Sequence, residues 1–247
     1  MSPEPLPPPH AHFGASGWTR QNEQEVFAPL GDRTRARLLV SGGICRSVIS
    51  GGAPDGELYR GRFAGLLPTI EVDGDVVHLR QDFGVSHWLR WLLSQSPHAA
   101  ELKLSSRIPW EVELHGGVSR FQADLRSIEL ASLEMWGGVS LVSIALPPPK
   151  GRVRIRAWGG AHQVVLQRPP GAGFKVAISG GVCHLQLDEN EFGSLGGPSA
   201  WQSPEYSTAS DAWELEVHGG VNELIITDEE ILPGAGRRYG GWYRTAW

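Results

Sequence analysis

The chain has 247 residues, with 22 basic and 27 acidic side chains for a net charge of −5. That length admits one large domain or two small ones with a sizeable core, and the mild acidity argues against a polybasic nucleic-acid binder. Glycine is over-represented at 32 of 247, about 13% against roughly 7% in average proteins, while two cysteines exclude a disulfide scaffold and no apolar run approaches a membrane span.

Residues 1–34 read as a disordered Pro-rich tail: five of the first nine residues are proline, and the following Gln-, Asn-, Glu- and Ser-rich stretch has no apolar period. Beyond it glycine pairs recur in similar surroundings: SGGI at 41, HGGV at 115, WGGV at 136, WGGA at 158, SGGV at 179 and HGGV at 218, with a degenerate DGDV at 73. From Gly116 the first glycines are 21, 22, 21 and 39 residues apart, the signature of a repeat architecture. Two residues before the first glycine stand Val40, Val72, Leu114, Met135, Ala157, Ile178 and Val217; four before it stand Leu38, Ile70, Val112, Leu133, Ile155, Val176 and Leu215. Two, five and seven after it come triplets such as Val118, Phe121, Ala123 and Val139, Val142, Ile144. In the first copy Ser47 takes the middle slot and Val48 lies one position late.

Apolar residues at alternate positions on both sides of a glycine pair describe two short strands meeting at a corner. The pattern predicts an all-β chain, a parallel β-solenoid of about seven or more rungs over 35–230 with one short inserted helix. LPPPKG at 146–151 and RPPGAG at 168–173 supply the return turns. The insertion at 83–96 carries that helix, with Val85, Trp88, Leu89, Leu92 and Leu93 on one face. A second insertion falls at 190–212. Residues 231–247 read as an aromatic C-terminal cap or tail. A β-sandwich with glycine-rich hairpins is the alternative, but hairpins do not require the same residue classes before every corner.

With FGSLGGPSAWQSPEYSTASDAWELEVHGGVNELIIT at 192–227 and FKVAISGGVCHLQLD at 174–188, the chain resembles the bacterial adhesin-like and cell-wall-active-antibiotic-response families, over roughly residues 35–228. The resemblance implies a β-solenoid of GG-containing rungs. Family members with membrane helices ahead of the solenoid act beside envelope-stress sensor kinases; no such helix is readable here.

Stacked rungs turn like positions into ladders. The position before the glycine pair reads Ser41, Asp73, His115, Trp136, Trp158, Ser179, His218. Trp136 and Trp158 on neighbouring rungs, with His115 and His218 in the same column, form a candidate binding strip for a protein or a sugar ring, unless the rings fold over the corners or lie under the tail or the 83–96 insertion. Three before the pair stand Leu39, Glu71, Glu113, Glu134, Arg156, Ala177 and Glu216. Glu134 beside Arg156 would serve a polysaccharide-acting enzyme as an acid–base group, or be a plain surface ion pair. Trp242, Tyr243 and Trp247 cap the C-terminal end or link copies of the chain end to end.

His115 and His218 are read as several rungs apart, and His162 and His184 as neighbours one position out of register, so no metal site is expected. Cys45 and Cys183 share a column about five steps, roughly 24 Å, apart and are expected to be free thiols. With no apolar signal-peptide core at the N-terminus, a cytoplasmic location follows as the expectation. No nucleophile motif, P-loop or dinucleotide fingerprint is present, and no cofactor is expected. The function expected is a non-enzymatic scaffold or protein-interaction module, self-association included, with a glycan- or envelope-binding adhesin-like module as the alternative.

Overall fold

The computed structural model describes residues 23–42, 45–64, 68–80, 100–116 and 118–229. They are nearly all β, arranged as two open mixed sheets, and the one helical element among them is a 3-10 turn at Pro204–Ser207. The helix expected at 83–96 and the aromatic segment 231–247, with Trp242, Tyr243 and Trp247, lie outside the described residues.

Seven strand pairs share one plan: β2 (Ala36–Ser41) with β3 (Cys45–Gly51), β6 (Val76–Arg80) with β7 (Ala100–Leu104), β8 (Pro109–His115) with β9 (Val118–Asp124), β10 (Glu129–Trp136) with β11 (Val139–Ala145), β12 (Arg152–Trp158) with β13 (Ala161–Gln167), β14 (Gly173–Ile178) with β15 (Val182–Leu187), and β18 (Ala212–His218) with β19 (Val221–Thr227). The leading strand of each pair enters the first sheet and the trailing strand the second. Alternation along the leading strands follows from the two-residue period: Trp110, Val112 and Leu114 of β8 point inward and are buried, while the residues between them are half-exposed. Both sheets line one apolar core, in which each fully buried Leu, Val, Ile or Phe contributes about 1.5–3 kcal/mol.

The trailing strands break that period in a regular way. Arg120, Leu141 and Gln163 have φ near +55°, so each adds one outward residue after the corner. Val139 is buried, Ser140 and Leu141 both face out, and Val142 and Ile144 return inward. In β9, β11 and β13 the apolar spacing of two, five and seven accompanies this left-handed residue, while β15 and β19 keep the spacing without it. Ser47 does take the inward slot, paired with Phe121 and buried, although its hydroxyl has no hydrogen-bond partner.

The strand pairs do not stack in chain order. The first sheet runs β17-β14-β18-β12-β10-β8-β2-β6-β5, and the second runs β1-β4-β7-β3-β9-β11-β13-β19-β15-β16. The last pair, β18–β19, is wedged between β12–β13 and β14–β15, and β2–β3 lies between β6–β7 and β8–β9. All these contacts are parallel; antiparallel strands occur only at the sheet ends.

Those ends correct two expectations. DGDV is not a corner: β5 (Thr69–Asp73) and β6 form an antiparallel hairpin around Gly74, so Asp73 pairs with Val76 and leaves the Ser41 column, where Thr69 stands opposite Arg80 instead. The tail boundary also moves, because Glu23–Pro29 is strand β1, antiparallel to β4 (Glu57–Ala64). The second insertion supplies β16 (Asn190–Phe192) and β17 (Ser199–Gln202), which cover the outer edges of β15 and β14. Such short antiparallel strands leave little free edge for another chain. No helix among the described residues is long and apolar enough to cross a membrane.

Candidate functional site

Because β8, β10, β12 and β18 are neighbours in register, His115, Trp136, Trp158 and His218 stand side by side on the outer face of the first sheet. His115 and His218, read as several rungs apart, are three strand steps apart, with β14 no longer between them. The wedged last pair is the reason, since it sets His218 directly against Trp158.

The rings form a continuous stack. Trp136 and Trp158 lie 3.8 Å apart between centroids at 14°, Trp158 and His218 at 5.9 Å and 18°, and His115 and Trp136 at 6.2 Å and 34°. Aromatic pairs of this kind contribute about 0.5–1.5 kcal/mol each. Each indole spends one face on the other, and His218 lies nearly parallel to the second face of Trp158, while His115 is tilted and farther from Trp136. What they present outward is ring edges rather than a flat strip, and Trp136 remains 38% exposed.

Side chains two positions earlier, on the same face, fix the stack. His115 Nε2 donates to Glu113 at 2.9 Å, and Trp136 Nε1 donates to Glu134 at 3.2 Å. Arg156 donates to Glu134 at 3.1 Å, lies 3.4 Å from Glu216, and sits 5.9 Å from the Trp158 ring centre. The Ser179 hydroxyl donates to the Val217 carbonyl, so it accepts from His218 Nδ1 at 3.1 Å. The sequence signal for these anchors is the recurrent charge–apolar–ring triplet at 113–115, 134–136, 156–158 and 216–218.

A second charged row lies beside the first. Arg37 pairs with Glu111 and Glu113, and the guanidinium is held above its usual value by the Glu111 hydrogen bond. Tyr206 donates to Glu214 at 2.7 Å, which raises the phenol. Arg154, between Ser132 and Glu214, makes no ion pair with the described residues. Glu134 accepts from both an indole N–H and a guanidinium, and stands opposite Glu113 on the neighbouring strand.

The histidine readings also change. His162 and His184 are not neighbours, since β19 lies between their strands; His162 meets Asn222 at 2.9 Å, and the His184 ring lies 3.7 Å from the Glu191 carboxylate. Among the described residues no three His, Cys, Asp or Glu side chains gather to hold a metal ion. Cys45 and Cys183 occupy equivalent positions five strand steps apart along the second sheet, and Cys183 is an exposed free thiol.

No family model and no curated protein matches the chain. A solved structure described as "a putative cell adhesion protein from Clostridium sporogenes" superposes with a TM-score of 0.55 at 18% identity, over 83% of this chain and 98% of the other. At that identity the likeness is one of fold.

Proposed function

We propose that the chain is a non-enzymatic β-solenoid interaction module, and that the outer face of its first sheet docks protein, a second copy of the chain first of all. The parallel in-register pairing of like positions across the interior strands supports the solenoid reading. The His115–Trp136–Trp158–His218 stack is the observation that carries the function. It is a row of aromatic edges already held rigid, so little side-chain freedom is lost when a partner covers it. Rows of both charge signs flank it, and Arg154, which stands between Ser132 and Glu214 without an ion pair among the described residues, offers a cation to an acidic group of a second copy. The free Cys183 thiol fits a reducing compartment, and the cytoplasm is part of this reading.

A second reading, an adhesin-like envelope module, draws on the fold likeness to the clostridial structure. Light scattering across a wide concentration range tests the first reading. Wild type should exceed the monomer mass, and Trp136→Ser with Trp158→Ser should return it to monomer with its circular dichroism intact. A wild-type monomer at every concentration, or a mass unchanged by the double substitution, would sink it.

A further inference from the structure

The four strands that end the sheets are not equally protected. β16 and β17 are only three and four residues long. On β1, Glu25 is engaged by Arg60 at 3.2 Å and by Arg62 at 3.5 Å. β5 has neither protection. It pairs with β6 alone, and Thr69, Glu71, Val72 and Asp73 are exposed. Ile70 and Val72 stand opposite the buried Leu79 and Val77, so they lie on the core side of the sheet, yet Val72 is 36% exposed. Glu71 and Asp73 lie on the outer side, and neither carboxylate has an ion pair among the described residues. The two-residue turn at Gly74 and Asp75 makes Asp73 and Glu71 exchange hydrogen bonds with β6, which aims the N–H and C=O groups of Ile70 and Val72 at the free side.

The chain itself carries a complement to this edge. Residues 231–247 hold Arg237, Arg238 and Arg244 and no Asp or Glu. Within them 242–246, WYRTA, has the length of β5 and is rich in the residue types that favour strands. Centred on β5 in either direction, it sets Arg244 opposite Glu71 on the outer side. Tyr243 and Thr245 then fall beside Ile70 and Val72 on the core side, where apolar surface is uncovered.

We infer that residues 242–246 of one copy add a strand to the free edge of β5 in the second copy, an inference that rests on the docking role proposed for the first sheet. A two-fold axis parallel to the strands and passing between Trp136 and Trp158 lays one ring row on the other and reverses the strand order. β5 of one copy then falls one strand step beyond β17 of the other. The terminal segment leaves from β19, whose paired strand β18 is two places in from β17. Segment and edge are thus three steps, about 14 Å, apart along the stack, and two sheet spacings, about 20 Å, apart through it. Residues 230–241 span about 40 Å when extended. The chain's own β5 lies farther along the stack, six steps or about 29 Å. A five-residue strand buries far less than the roughly 1,200–2,000 Å² of a stable interface, so the contact reinforces the dimer and does not hold copies together by itself.

The test is the dimer dissociation constant of the full chain by sedimentation equilibrium. Arg244→Glu should raise it about tenfold, since the dimer holds the contact twice, and adding Glu71→Arg in the same chain should restore the wild-type value. In a second measurement, a fluorescent peptide of residues 231–247 is titrated with the full chain carrying Arg244→Glu. It should bind, and Glu71→Arg in that chain should weaken it about fivefold or more. A wild-type monomer would refute the docking role alone, and the peptide then decides the strand contact by itself. A peptide that fails to bind, or a loss of dimer affinity that Glu71→Arg does not recover, would overturn the assignment. So would a dimer constant indifferent to Arg244→Glu while the peptide binds, because the segment then returns to its own edge.

Discussion

Arg168 offers the sharpest energetic test of how the strand pairs are tied together. Its side chain is 4% exposed, donates to Asp188 through Nε at 3.3 Å and Nη2 at 2.9 Å and to the Ala172 carbonyl at 2.8 Å, and lies 3.5 Å from Asp228. One guanidinium thus joins the far ends of β13, β15 and β19. Asp188→Asn removes the charge while keeping a residue that tolerates the φ of +53° found there. Leaving a buried charge without its partner costs about 3–5 kcal/mol. Asp228, at 39% side-chain exposure, takes over part of the pairing, which places the loss near the lower end, ~3 kcal/mol. For a domain of this size that is a fall in Tm of about 6–12 °C. Urea unfolding followed by tryptophan fluorescence measures it. Adding Arg168→Met should recover most of the loss, since no buried charge then remains. A change below about 1 kcal/mol for Asp188→Asn, or a double variant no better than the single, would refute the clamp.

The corner glycines should separate by position: Gly180→Ala, whose Cβ would meet the Gly219 carbonyl at 1.9 Å, should destabilise by about 2 kcal/mol or more, and Gly160→Ala should stay within roughly 0.5 kcal/mol on thermal melts. Trp158→Ser breaks the stack on both sides and should cost about 1–3 kcal/mol, with loss of any exciton signal between the indoles in near-ultraviolet circular dichroism. Replacing 190–203 with a Gly/Ser segment of equal length uncovers the β14 and β15 edges and should produce concentration-dependent assemblies in sedimentation velocity. The Asp211 carboxyl is held below the usual carboxylate range by the Gly151 N–H and then by Ser210, so its stabilisation is present above about pH 4 and fades as pH falls through the lowered value; Asp211→Asn should flatten that acid limb.

The sequence made the local geometry readable because each strand writes its own inward face. Leu133 and Met135 on one side of the corner, and Val142 and Ile144 on the other, all prove buried where the spacing put them. The stacking order was not readable. Nothing local distinguishes β18 following β14 from β18 wedged inside it, since both arrangements bury Trp213, Leu215 and Val217 alike. The hairpin at Gly74 deceived for a related reason. Ile70 and Val72 alternate equally well in a parallel or an antiparallel strand, and direction is set by the turn. For the candidate site, the ring column was visible, but the contact of His218 with Trp158 depended on β18 lying beside β12.

The out-of-order stacking also bears on how such a chain is made and how it can change. A linear array can lengthen by duplicating a unit and can fold progressively as it leaves the ribosome, each unit needing only the one before it. Here β14–β15 has its parallel neighbour only after residues 212–227 have been synthesised, and β2–β3 is held between segments that both come later in the chain. The completed stack is locked from both ends, like a row of books closed by inserting the last volume one place in. Assembly must wait for distant partners, which predicts slow folding for its size, and the number of strand pairs cannot drift by adding one at either end.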